Sequence, residues 1–260
     1  MNRKFSWTAS VTALYVILIL AVHPIIYQNY YFNILNVKYL FYCACTIGML
    51  VLLGGYFLFT GAFKRIKLKL IPTDYAFLAF MIIAILSAAF SDFKYEAFWG
   101  NEGRFSGAFL LILYAASYFC VSRLLKFKSW FIDIALLSCM AVCIFGFTDY
   151  LGMDLLHFKV RLKTEHMGMF TSFIGNINMY TGLLSVYLGT ACLLWVSCPN
   201  KLRSIWYYVN VWVIFIAMIT GRSDNAYLSL AVAFTFIPIY AFRTRQGIRR
   251  YVVLLATFLP

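Results

Sequence analysis

Long apolar runs alternate with short polar breaks along the whole of this 260-residue chain. A helix that crosses a bilayer needs about 20 largely apolar residues. Runs near that length cover 8–27, 36–63, 73–90, 107–122, 129–151, 177–197, 204–220 and 225–242. A ninth run, 250–260, stops at about half the length a span requires. Pro72 suits the opening turn of the third run, and Cys198-Pro199-Asn200 closes the sixth. The pattern predicts an all-α fold, a polytopic transmembrane helical bundle of about eight complete spans plus a truncated ninth. Residues 1–260 then form a single transmembrane domain. Arg3 and Lys4 precede the first run, but no small-residue cleavage site follows it, so that run is expected to stay as a helix.

Composition narrows the class further. Hydrophobic residues make up 63% of the chain and charged residues 12%, and the mean hydropathy is +0.83. A soluble domain is nearer half apolar and a quarter charged. The seven cysteines (Cys43, Cys45, Cys120, Cys139, Cys143, Cys192, Cys198) lie in or at the ends of apolar runs with no CxxC spacing. They read as small core residues rather than as a disulfide or metal framework.

The formal charge of +13 would suggest nucleic acid in a soluble protein. Here its distribution follows the breaks between spans. Alternate breaks carry 15 Lys and Arg against 2 acids, Asp74 and Asp133; the other set carries 7 against 7. The excess of Lys and Arg puts the first set, and the N-terminus, in the cytoplasm. The charge is thereby accounted for by topology, and no nucleic-acid partner is required.

The polar chemistry gathers on the opposite, outer side. It holds His23, His157 and His166, none of which is read as a base from sequence. It also holds the ten-residue break from Phe98 to Gly107, with three glycines, Glu102, Arg104 and three aromatics. Glycine allows close backbone approach, and Arg offers a planar fork for phosphate or carboxylate. Arg104 therefore either anchors a charged lipid head group or faces water from a tight connection. In the long connection 152–175, Lys159, Arg161 and Lys163 alternate with Val160 and Leu162. A period of two puts three cations on one face of an extended segment. That face either meets lipid phosphates or lies in the head groups while Val160 and Leu162 dip into the bilayer. Asn176 and Asn178 precede the sixth span. One of them can cap the helix, whose N-terminus favours anions, and capping leaves the other unexplained. Between the seventh and eighth spans, Gly221-Arg222-Ser223-Asp224-Asn225 lies near the membrane boundary. Arg222 there is either neutralised by Asp224 or kept for an anionic group.

In order, a Gly-x-x-Gly-Arg-x-x-Gly loop (Gly100 to Gly107), a Thr-x-Phe-x-Gly-Asn-x-Asn turn (Thr171 to Asn178) and a Thr-Gly-Arg-Ser turn (Thr220 to Ser223) resemble the bacterial O-antigen ligase and O-antigen polymerase family. Its commoner third turn reads Thr-x-Ser-Arg, whereas here Arg222 precedes Ser223. The resemblance implies a multi-pass glycosyltransferase of the bacterial cytoplasmic (inner) membrane. It would transfer or polymerise glycans from an undecaprenyl-pyrophosphate-linked donor at the outer face, in cell-surface polysaccharide biosynthesis. The implied partners are that lipid-linked oligosaccharide, a glycan or lipid acceptor, and membrane lipids. No cofactor or metal is implied, and the sequence shows no DxD-like pair or His/Cys cluster to hold a metal. Arg104 and Arg222 become candidates for the pyrophosphate, with Arg161 and Lys163 beside them, and Asn176 and Asn178 for sugar or head group. The family's large outer loop and last spans, with its usual base, would follow residue 260, so the 260-residue chain alone is expected to be inactive. A transporter or flippase would need repeated halves and helices broken at mid-membrane depth, and no such repeat is seen. A non-catalytic scaffold leaves the one-sided polar clusters unexplained.

The charge distribution predicts that Lys163→Cys, above the background of native cysteines, reacts with an impermeant thiol reagent in intact spheroplasts. Labelling only after lysis would reverse the topology.

Overall fold

The structure, a computed structural model, describes residues 3–28, 34–61, 70–166 and 172–258. The basic break 64–69 lies outside them. Among the described residues all regular structure is helical and there is no strand. Among the described residues five helices are long and apolar enough to cross a membrane: α2 (Ile34–Thr60), α3 (Pro72–Ala89), α6 (Trp130–Tyr150), α7 (Ile177–Ser197) and α8 (Lys201–Thr220). The others are α1 (Arg3–Ile17), α4 (Lys94–Trp99), α5 (Ala108–Leu124), α9 (Asp224–Ala241) and α10 (Arg245–Phe258). The apolar pattern thus locates the helices closely, and for α7 it gives both ends. It misses α4, a six-residue helix too short to show a period. It also starts α8 three residues late, because Asn200 caps that helix by accepting from the Arg203 amide at 3.2 Å. The run at 250–260 is part of a helix that begins earlier, at Arg245.

The chain divides into two compact units, Met1–Ile26 with Leu35–Phe131 and Tyr27–Ile34 with Ile132–Pro260. In the first unit α1 continues as a π-helical stretch, Leu18–Val22, that ends before Pro24. The ammonium of Lys38, itself buried, donates to the carbonyls of His23 (2.6 Å) and Pro24 (2.8 Å). A cation at this end offsets the negative pole of the helix. Tyr15, Met49, Leu53, Phe57 and Leu124 form one core cluster, joining α1, α2 and α5. Polar side chains tie the same helices: Tyr15 to Thr46 at 3.3 Å, and Tyr42 to Ser117 at 3.0 Å.

At the start of α3 the Asp74 carboxylate has no solvent exposure. It accepts from the Ile71 amide at 2.8 Å and the Tyr118 hydroxyl at 2.7 Å, and it forms an ion pair with Arg123. One carboxylate therefore caps α3 and fastens α5 to it.

In the second unit α7 is the central helix and packs against α8, α9 and α10. Its buried stripe is Tyr180, Leu184, Leu188, Ala191, Cys192 and Trp195, a three-to-four spacing that faces one side of a helix. α8 offers Tyr207, Asn210, Val211, Ile214, Ala217 and Met218 at the same spacing. Ala135, Cys139 and Cys143 on α6 are buried alike. Small side chains in these stripes let helices approach closely, the main source of association where lipid gives no hydrophobic drive. The Arg250 guanidinium donates to the carbonyls of Trp195 (2.5 Å) and Cys198 (2.6 Å) at the end of α7. It also lies over the Trp195 ring, 5.7 Å from its centre.

Removing the Asp74 carboxylate strands Arg123 and the α3 cap together. Asp74→Ala is expected to lower the thermal midpoint of the detergent-solubilised protein clearly more than Arg123→Gln does. The double variant should lose less than the two singles combined. Strict additivity in that cycle would dissolve the proposed coupling.

Candidate functional site

The break after α4 is a tight reversal. Gly100 (φ 86°) and Gly107 cross so closely that a Cβ on Gly100 would lie 2.5 Å from the Ser106 nitrogen, and one on Gly107 2.3 Å from the Phe98 carbonyl oxygen. No side chain fits at either position. Phe105, also in left-handed backbone (φ 52°), stacks on Tyr39 with ring centres 4.4 Å apart. This pins the loop and leaves Arg104 exposed, with no side-chain hydrogen bond or ion pair among the described residues. Its guanidinium belongs to the first unit.

The connection after α6 corrects one expectation. Residues 155–162 run through successive turns, not through an extended segment, so Lys159, Arg161 and Lys163 do not share a face. The cause is Asp154, whose carboxylate accepts from the Phe158 and Lys159 amides, each at 2.8 Å, and curls the chain. Lys159 turns inward and pairs with Asp149 at 2.5 Å. The other Asp149 oxygen accepts from the Ser172 amide at 2.9 Å, and the Ser172 hydroxyl donates to the Val142 carbonyl at 3.1 Å. Arg161 and Lys163 stay exposed. His157 is exposed in left-handed backbone (φ 54°). Thr171 and the side chain of His166 lie outside the described residues.

The two remaining sequence signals meet at the entry to α7. Asn176 is its N-cap, with Oδ1 accepting from the amides of Asn178 (2.9 Å) and Met179 (3.2 Å). The second asparagine has a different role. Asn178 Oδ1 accepts from the Ser223 hydroxyl at 3.0 Å, and Thr181 Oγ1 lies 3.4 Å from the same hydroxyl. Ser223 is the cap residue of α9 but makes no cap bond with its side chain, because its hydroxyl is turned to α7. Its neighbour Arg222 is exposed, in left-handed backbone (φ 50°), with its guanidinium 5.9 Å from the centre of the Tyr150 ring. Asp224 does not neutralise it: no ion pair joins them among the described residues, and Asp224 instead opens α9.

The result is a set of donors around two helix N-termini. The Nδ2 groups of Asn176 and Asn178 and the Arg222 guanidinium have no hydrogen-bond acceptor among the described residues. The pole of α7, whose first turn carries no acid, adds partial positive charge, while Asp224 offsets that of α9. Such a set suits an anion bearing hydroxyl groups. Of the six residues singled out in the sequence, the fold bonds Asn176 to Asn178 and brings Asn178 to Ser223, the chain neighbour of Arg222. It places Arg161 and Lys163 on the exposed connection of the same unit. Tyr150, Thr181 and Ser223 are additions: Ser223 stands inside the turn motif, but nothing in the sequence links it to residue 178, and Tyr150 reads only as the end of a span.

No protein-family model, curated protein or solved structure matches the chain.

If Asn178 ties α9 to α7, Asn178→Ala should cost about 0.5–1.5 kcal/mol of stability, while Asn178→Asp, which keeps the acceptor, should cost less. Asn176→Ala should cost about 1 kcal/mol as a lost cap. Equal losses for Asn178→Ala and Asn178→Asp in chemical unfolding would show that the acceptor is not what matters.

Proposed function

We propose that the chain is a membrane-embedded glycosyltransferase similar to O-antigen ligases and polymerases, working on an undecaprenyl-pyrophosphate-linked glycan at the outer face of a bacterial cytoplasmic membrane. The observation that carries this reading is the meeting of Asn176, Asn178 and the Gly221-Arg222-Ser223 turn in one hydrogen-bonded cluster. The two motifs are 45 residues apart at their contact. They are also two of the three on which the sequence resemblance rests. In this reading the chain has eight complete spans with a cytoplasmic N-terminus, and the cluster lies at the outer boundary of the second unit.

The chemistry follows from what the cluster offers. An acceptor hydroxyl attacks the anomeric carbon, the bond from that carbon to the pyrophosphate oxygen breaks, and the electron pair leaves with the pyrophosphate. Charge grows on the leaving oxygen, and fixed donors aimed there lower the barrier. Arg222 is the group to bind it. The pole of α7 needs no reorganisation to help, and the two asparagine amides suit sugar or head-group oxygens. The acceptor proton goes to a general base, for which no residue of this chain is proposed. Arg104, in the first unit, is a separate candidate for a phosphate contact, on a loop in which Gly100 and Gly107 cross closely.

Lysine keeps the charge but not the fork of guanidinium donors. Arg222→Lys and Arg104→Lys, made separately in the intact gene product, should each reduce polysaccharide assembly in a strain lacking the native gene. The loss should be about 10- to 100-fold, one charge-assisted hydrogen bond, at unchanged protein level by blot. Near-normal assembly by both the Lys and the Ala variants would remove that arginine from the site.

A further inference from the structure

The first unit carries a groove that the chemistry above does not use. It opens between the end of α3, the short α4 and the start of α5, has a volume of about 300 Å³, and is lined by Ile85, Ala88, Ala89, Lys94, Phe98, Ala108 and Ile112. That volume is at the lower end for small-molecule sites. Three of the lining residues are alanines, which is what leaves the space. The crossing of Gly100 and Gly107 sets the tight reversal between α4 and α5, the two helices that flank the groove with α3.

Two observations point to the occupant. First, the face around it has the aromatic girdle of a membrane–water interface: Phe90, Phe93, Tyr95, Phe98 and Trp99 are all exposed within ten residues. Below that girdle α3 exposes Ile82, Ile83, Ile85 and Leu86, an apolar surface that hydrocarbon would cover. The groove therefore runs from head-group depth into the acyl region. Second, Lys94 is the one charged residue in its lining. It is exposed and has no ion pair among the described residues. Asp92 and Glu96, its acidic neighbours, do not line the groove. An apolar slot with a single unpaired cation at interfacial depth matches a phosphate joined to a hydrocarbon chain.

We propose that this groove holds one acyl chain of an anionic phospholipid, with the lipid phosphate on Lys94. The site is independent of the donor cluster in the second unit and of the glycosyltransferase reading. The alanines set the width for an unbranched chain, and the lysine selects the head group.

The test uses the protein in nanodiscs containing phosphatidylglycerol or phosphatidylcholine with a photoreactive diazirine in the acyl tail, with adducts mapped by mass spectrometry. Adducts should concentrate at Ile85 and Ile112, measured against exposed α2 positions such as Val51 and Phe59 as an internal reference. Phosphatidylglycerol should be favoured there, and Lys94→Gln should erase about a fivefold preference, the worth of one lysine at an anionic surface. Lys94→Arg should keep it. Ala89→Phe, at an exposed position, should fill the slot and cut groove adducts while leaving the α2 adducts and the thermal midpoint unchanged. Adducts spread evenly over α2 and α3, an unchanged pattern in Ala89→Phe, or a groove without adducts because another chain or segment covers it would each overturn the assignment.

Discussion

Taking a charge out of water costs several kcal/mol unless a partner comes with it, and this chain obeys that constraint at every buried charge described. Asp74 is held by Arg123, Tyr118 and the Ile71 amide. Lys159 is held by Asp149, and Lys38 by two carbonyls at a helix end. Each partnership joins stretches that an apolar pattern alone leaves unrelated. Lys38 ties α2 to the end of the first helix, Arg123 ties α5 to α3, and Lys159 folds a long connection back onto α6. Packing of small and aliphatic side chains holds the helices together, and these few polar locks set where their ends lie.

Arg104 and Arg222 differ from these buried charges in having no such partner among the described residues. Both are exposed guanidinium groups without an ion pair among the described residues, and both stand on constrained backbone. The chain otherwise uses its polar atoms sparingly. Even Ser223 gives up capping its own helix to reach Asn178. The proposed anion site draws on donors left unpaired beside the pole of α7, and Asp224, in the first turn of α9, makes no ion pair with Arg222 among the described residues.

Much of the architecture was legible because a membrane helix declares itself by length and hydropathy. The bounds of α7 follow directly from the apolar run, and those of α2, α3, α5, α6 and α9 nearly so. α4 was not legible, since six residues reading Lys-Tyr-Glu-Ala-Phe-Trp hold no period. The alternation at 159–163 misled for a physical reason: a period of two implies a strand only where the backbone is extended, and the Asp154 carboxylate bends it. The candidate site was half legible. Asn176 is a cap by local rules, and Arg222 is conspicuous by its setting. The role of Asn178 depends on a hydroxyl 45 residues away, and no local rule gives such a pairing.

The Arg250 contact carries a consequence for how the protein is made. The last carbonyls of a helix have no partner within it, and for α7 the Trp195 and Cys198 carbonyls are satisfied by a side chain 55 and 52 residues further on. When α7 leaves the ribosome that guanidinium does not yet exist. α8 and α9 must be synthesised first, so the central helix of the second unit is made before the side chain that finishes its end. Arg250 is a late bolt in chain order: the contact that finishes α7 is made by the last helix of the unit.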